Sequence, residues 1–117
     1  MIVVTTRFAV AEGRESDFEE RLRQGAQLLE HAPGLIRSEL HRPCALRFER
    51  ALGQFLPEAK PTGRYEVKTW WRTLQDFEDW TTSPASGSQR ALREAFIGPE
   101  SLAVHEVFLD SPRSGSR

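Results

Sequence analysis

Four segments of this chain alternate with the period of a β-strand, and two stretches between them repeat with the period of a helix. That order, β-α-β-β-α-β, leaves few ways to fold. Residues 2–10, IVVTTRFAV, are β-branched and aromatic, side chains that fit a pleated, half-buried surface. Ile2, Val4, Thr6, Phe8 and Val10 fall on one face, and Val3, Thr5, Arg7 and Ala9 on the other. LIRSELHR (35–42), YEVKTWW (65–71) and SLAVHEVFL (101–109) read as further strands. Between the first two, Phe18, Leu22, Gly25, Leu28, Leu29 and Ala32 recur at helical spacing. Ser16 and Glu19 stand three apart, as in a capping box, and Pro33-Gly34 ends this helix. Thr73 is placed to cap a second helix with Leu74, Phe77 and Trp80 on one side. TTSPASGS (81–88) interrupts it, and Ser83-Pro84 restarts it with a cap followed by a proline at the first helical position. Leu92, Ala95 and Phe96 supply the apolar side of that second piece, and Gly98-Pro99 stops it.

Right-handed crossovers turn this order into a four-stranded antiparallel sheet with both helices on one face, an α+β architecture. The opposite sheet face also carries apolar residues, so a second copy packed sheet to sheet is expected to cover it. A chain of 117 residues is one domain, here placed at 1–110. Residues 43–63 are a long excursion with three Pro and two Gly, longer than a normal connection and with room for a short strand or helical turn. The tail SPRSGSR is expected to be disordered.

With 16 Lys and Arg against 17 Asp and Glu, the net charge is −1. That balance points away from nucleic acid or an anionic membrane as a partner. No apolar run approaches the roughly 20 residues of a membrane span. The N-terminus has no charged lead before its apolar run, and Arg7 interrupts that run, so a cytoplasmic protein is expected. The single Cys44 excludes an intrachain disulfide framework and a multi-cysteine metal site. His31, His41 and His105 lack the spacing of a zinc motif.

Four stretches carry a resemblance: TRFAVAEGRESDFEERL (6–22), APGLIRSELHRP (32–43), YEVKTWWRTLQDFEDWTTSP (65–84) and REAFIGPESLAVHEVFLDS (93–111). In this order they resemble the antibiotic-biosynthesis-monooxygenase (ABM) family, and within it the branch that includes the IsdG-type haem-degrading monooxygenases. The resemblance implies a ferredoxin-like fold and a dimeric α/β-barrel assembly. That branch carries an Asn on its first strand, a Trp on its second helix and a His ten residues later. Those positions fall here at Thr6, Trp80 and Arg90. An Arg stays protonated and has no lone pair with which to ligate iron. It suits an anion instead, such as a phenolate or a haem propionate.

The resemblance therefore implies a monooxygenase acting on a planar aromatic or haem-like ligand held between helices and sheet. Thr6 and Trp80 stand at the reacting end, Phe8, Trp71, Phe77 and Phe96 form the walls, and Arg90 sits at the mouth. The cofactor is none or haem, and no metal ligand is assigned. Each residue also has a plainer role: aromatics at helical spacing fill cores, Thr is a good strand former, and Arg on a helix is commonly solvated. A non-catalytic ligand-binding or stress-response dimer is the alternative, since many proteins share a fold without sharing a chemistry. An open cavity reaching both Thr6 and Trp80 favours the oxygenase.

Overall fold

The computed structural model describes residues 1–61, 63–87 and 101–111. The elements run β1 (Ile2–Phe8), α1 (Glu15–Leu29), β2 (Leu35–His41), β3 (Leu46–Glu49), β4 (Gln54–Pro57), β5 (Tyr65–Trp71), α2 (Leu74–Thr81) and β6 (Ser101–Glu106). β2, β5, β1 and β6 form a four-stranded sheet in that order, and every neighbouring pair is antiparallel. This is the ferredoxin-like α+β arrangement expected from the sequence. The helical restart at 84–87 is present, with the Ser83 hydroxyl accepting from the Ser86 amide at 3.3 Å. The rest of that piece, with Arg90 and Phe96, and the tail at 112–117 lie outside the described residues.

Register fixes the two faces. Val4 lies opposite Thr69 and Val104, and Thr6 opposite Val67 and Leu102. Alternation then puts Ile2, Val4, Thr6 and Phe8 with Tyr65, Val67, Thr69 and Trp71 on the helix side. Two apolar clusters form there. Phe8, Phe18, Leu22 and Tyr65 make one. Val4, Leu29 and Trp71 make the other, with Phe77 and Trp80 packed against it.

The outer face holds Val3, Thr5, Trp70 and Ala103 among charged neighbours. Arg7 meets Glu66 at 2.9 Å, and the Arg37 guanidinium lies 4.0 Å from the centre of the Trp70 ring. This face is more polar than β1 alone suggests, because β2 and β5 contribute alternating charges to it.

The start of α1 differs from the capping-box expectation. The helix begins at Glu15, and Arg14 occupies the N-cap without a side-chain cap bond. Glu15 and Asp17 place acid in the first turn, where the helix dipole favours it. Glu19 does not reach back to the helix start. Its carboxylate accepts from the Tyr65 hydroxyl and from Arg42, each at 2.6 Å, so tertiary partners outcompete the local one. The Thr73 cap forms as expected, accepting from the Asp76 amide at 3.1 Å.

The 43–63 excursion contains a β-hairpin. β3 pairs with β4 in a separate two-stranded sheet, turning at Gly53 with φ +64°.

Candidate functional site

A gap lies between the two apolar clusters, and α1 is the reason for it. Leu22 and Leu29 close the ends of its buried stripe, but Gly25 and Ala26 stand between them and leave the middle turn without bulk. The result is a cavity of about 100 Å³. That is several times the ~10–15 Å³ a single water needs, so it is more than a packing fault.

Thr6, Phe8, Trp71, Phe77 and Trp80 all line this cavity. The structure thus brings together the expected residues that it describes; Arg90 and Phe96 are not among these. β1 supplies Thr6 and Phe8 from alternate positions on one face. β5 supplies Trp71, which is fully buried. α2 brings Phe77 edge-on to Trp71, with ring centres 5.7 Å apart, and Trp80 follows three residues later, one helical turn on.

Several lining residues escaped the sequence reading. Thr69 and Ser86 are both only 7% exposed and both line the cavity. The Trp71 indole Nε1–H donates to Thr69 Oγ1 at 2.8 Å. That bond uses a Thr69 lone pair and leaves its hydroxyl proton to donate elsewhere. Thr69 is therefore a hydroxyl with its acceptor side engaged in a nearly dry wall. In the sequence it is an ordinary strand threonine. The visible signals were the 69–71 spacing, which puts Thr69 and Trp71 on one face, and the small Gly25-Ala26 pair.

The described lining residues include no carboxylate, imidazole, thiol, thioether or phenol. His41 bonds Glu39 at 2.8 Å on β2, and His105 pairs with Val3 on the outer face. These walls suit a flat ring, but this donor set offers no axial ligand for a haem iron. Among the described residues no cluster of three His, Cys, Asp or Glu side chains could hold a metal ion, and no helix is long and apolar enough to cross a membrane.

The family model for antibiotic biosynthesis monooxygenase matches residues 1–92. The chain belongs to the ABM family. Among solved structures, this ABM protein is similar to SnoaB, a cofactor-independent oxygenase from Streptomyces nogalater. They share 19% identity over 96% of this chain and 97% of that one, with a TM-score of 0.71. It is also similar to MhuD, a haem-degrader from Mycobacterium tuberculosis solved with two haems in its active site. There the identity is 26% over 96% of this chain and 100% of that one, with a TM-score of 0.69. No curated relative matches the ABM chain by sequence.

Proposed function

We propose that this ABM protein is a cofactor-independent monooxygenase that oxidises a planar, electron-rich phenol. The observation that carries this reading is the cavity: aromatic walls from Phe8, Trp71, Phe77 and Trp80, hydroxyls from Thr6 and Thr69, and no charged side chain among the described lining residues. SnoaB is a cofactor-independent oxygenase on the same fold, so the fold accommodates such chemistry.

An ionised phenol can itself reduce dioxygen. Where its keto tautomer carries a ring CH2, that carbon becomes a carbonyl. One oxygen atom stays in the product, the other leaves as water with the two hydrogens, and the substrate supplies all four electrons. The protein has three tasks. Its aromatic walls hold the ring flat, the Thr6 and Thr69 hydroxyls donate to the substrate oxygen as its charge changes, and the bound ring displaces water from the apolar walls. Arg90, at the position of the family's ligating His, is assigned to a substrate anion. The assembly we propose is a homodimer through the outer sheet face.

The test is oxygen uptake by the purified protein with a series of hydroxynaphthalenes and no added reductant. Uptake of one O2 per substrate, unchanged by a chelator, is expected. A haemin titration run alongside is expected to be flat. A saturable Soret shift at one haem per chain, with ascorbate-dependent bleaching that survives catalase, would instead make the protein a haem degrader like MhuD. Binding of the phenols without oxygen uptake would leave the non-catalytic dimer.

A further inference from the structure

Among the described lining residues of the cavity, the hydroxyls belong to Thr6, Thr69, Thr81 and Ser86. The Thr81 hydroxyl is engaged within its own helix, donating to the Glu78 carbonyl at 2.8 Å. Thr6 and Thr69 come from the sheet and are assigned above to the reacting oxygen of the substrate. Ser86 comes from the helix layer, and that chemistry leaves it without a task.

Ser86 is only 7% exposed, and among the described residues no group pairs with its hydroxyl. A serine in a helix commonly turns its hydroxyl back onto the carbonyl one turn earlier, and Ser86 does not. Buried polar groups in folded proteins have partners, so an open hydroxyl in a cavity wall points to a partner that arrives from outside. Water can serve it while the cavity holds no ligand. A flat ring that fills the cavity expels such water and must replace its bond. The segment around Ser86 is fixed in place. The Ser83 hydroxyl donates to the Trp80 carbonyl at 2.6 Å and accepts from the Ser86 amide at 3.3 Å, and the Ser83 carbonyl accepts from the Gly87 amide at 3.2 Å. One side chain thus ties Ser86 to the wall residue Trp80.

We propose that Ser86 determines specificity: its hydroxyl bonds a second oxygen on the ligand, so that the cavity selects planar ring systems with two oxygen substituents over those with one. The inference rests on the phenol-oxygenase reading of this cavity. Two observations separate the second oxygen from the first. Thr6 lies opposite Val67, two residues from Thr69 on the same strand, so both threonines address the same part of a ligand from the sheet. Ser86 approaches from the other layer. A hydroxyl both donates and accepts, so a phenol or a ring carbonyl satisfies it equally. A ligand that lacks this oxygen leaves Ser86 buried and unpaired, which is how a polar group in a site rejects the wrong substrate.

Calorimetric titration of the full chain in oxygen-free buffer, with a naphthol and the isomeric dihydroxynaphthalenes, tests this. At least one dihydroxy isomer is expected to bind about tenfold more tightly than the naphthol, and Ser86→Ala is expected to bring that ratio close to one. Taking the ratio cancels any general effect of the substitution on the cavity. The melting temperature of Ser86→Ala should not fall, because no bond within the protein is lost. The wild-type comparison does not depend on the variant folding. Equal binding of the naphthol and every isomer, or a preference that survives Ser86→Ala, overturns the assignment and leaves the phenol oxygenase standing. A Ser86-dependent preference without oxygen uptake in air supports the assignment and overturns the oxygenase. Binding of no phenol at all overturns both.

Discussion

Thr69 takes a hydrogen bond from Trp71 and has one proton left to give. Thr69→Val keeps the shape and strands a buried indole N–H, at a cost of about 1–3 kcal/mol. Thermal melts should show this loss for Val and little of it for Thr69→Ser, while oxygen uptake falls for Val and is largely kept by Ser. Ala26→Leu should do the reverse: it fills the gap between Leu22 and Leu29, so phenol binding is lost while the melting temperature holds. Gly34 is constrained on two counts. Its φ is +84°, and the Asp76 carboxyl occupies the space a Cβ would need. Gly34→Ala should cost about 1–2 kcal/mol from the backbone alone, more once Asp76 is pushed off the Thr73 hydroxyl, and a denaturant titration reads the sum. At this scale the sequence exposed the aromatic residues and Thr6, because period and position reveal them. It hid Thr69 and Ser86, because a small hydroxyl acquires meaning only when register and burial place it.

Helix α1, strand β5 and the end of β2 meet at one polar tie. The Tyr65 hydroxyl and Arg42 both bond Glu19. The Tyr65 bond, followed by the pull of Arg42 and Arg23, holds the Glu19 carboxyl below its ordinary 4.5 despite an opposing effect of burial. Burial first, and then the Glu19 carboxylate, pushes the Tyr65 phenol up from 10.0 to about 12. The signs of the two effects on stability are opposite. The Glu19 contribution is complete above pH 4.5 and is lost as pH falls through its lowered value, because the folded state then gains the proton later than the unfolded one. The Tyr65 contribution is complete below pH 10 and is lost between pH 10 and about 12, where the unfolded state has already released its proton. Melting temperature against pH should therefore fall at both ends, and Tyr65→Phe should flatten the alkaline arm while shrinking the acid one. Strand and helix order were legible from periodicity, as were the Thr73 and Ser83 caps. The start of α1 was not, because Glu19 is claimed by residues 23 and 46 positions away. The hairpin was obscured by its prolines and by strands of only four residues each.

For the whole molecule, partner and ligand are separate problems with separate surfaces. The cavity lies on the helix side of the sheet and the proposed interface on the other, so one substitution should rarely disturb both. If folding and pairing are linked, the melting temperature rises with protein concentration, since mass action stabilises whatever the second copy binds. A melting temperature that stays constant over a hundredfold range of concentration would argue for a monomer. The sequence showed that the sheet had two faces to cover. It could not show how much of the outer face is charged, because that depends on which residues of β2 and β5 lie beside Val3 and Thr5.

Trp70 and Trp71 are neighbours in the chain and face opposite sides of the sheet. Trp71 is sealed against the cavity, while Trp70 lies under Arg37 on the outer face. The indole is the chain's own fluorophore, and its emission responds to what touches it. Trp70→Phe would leave Trp71 and Trp80, both on the cavity side, and the double change Trp71→Phe/Trp80→Phe would leave Trp70 alone on the outer face. With Trp80 removed from the background, these two adjacent positions allow ligand uptake and the proposed self-association to be followed as separate optical signals, without attaching a label.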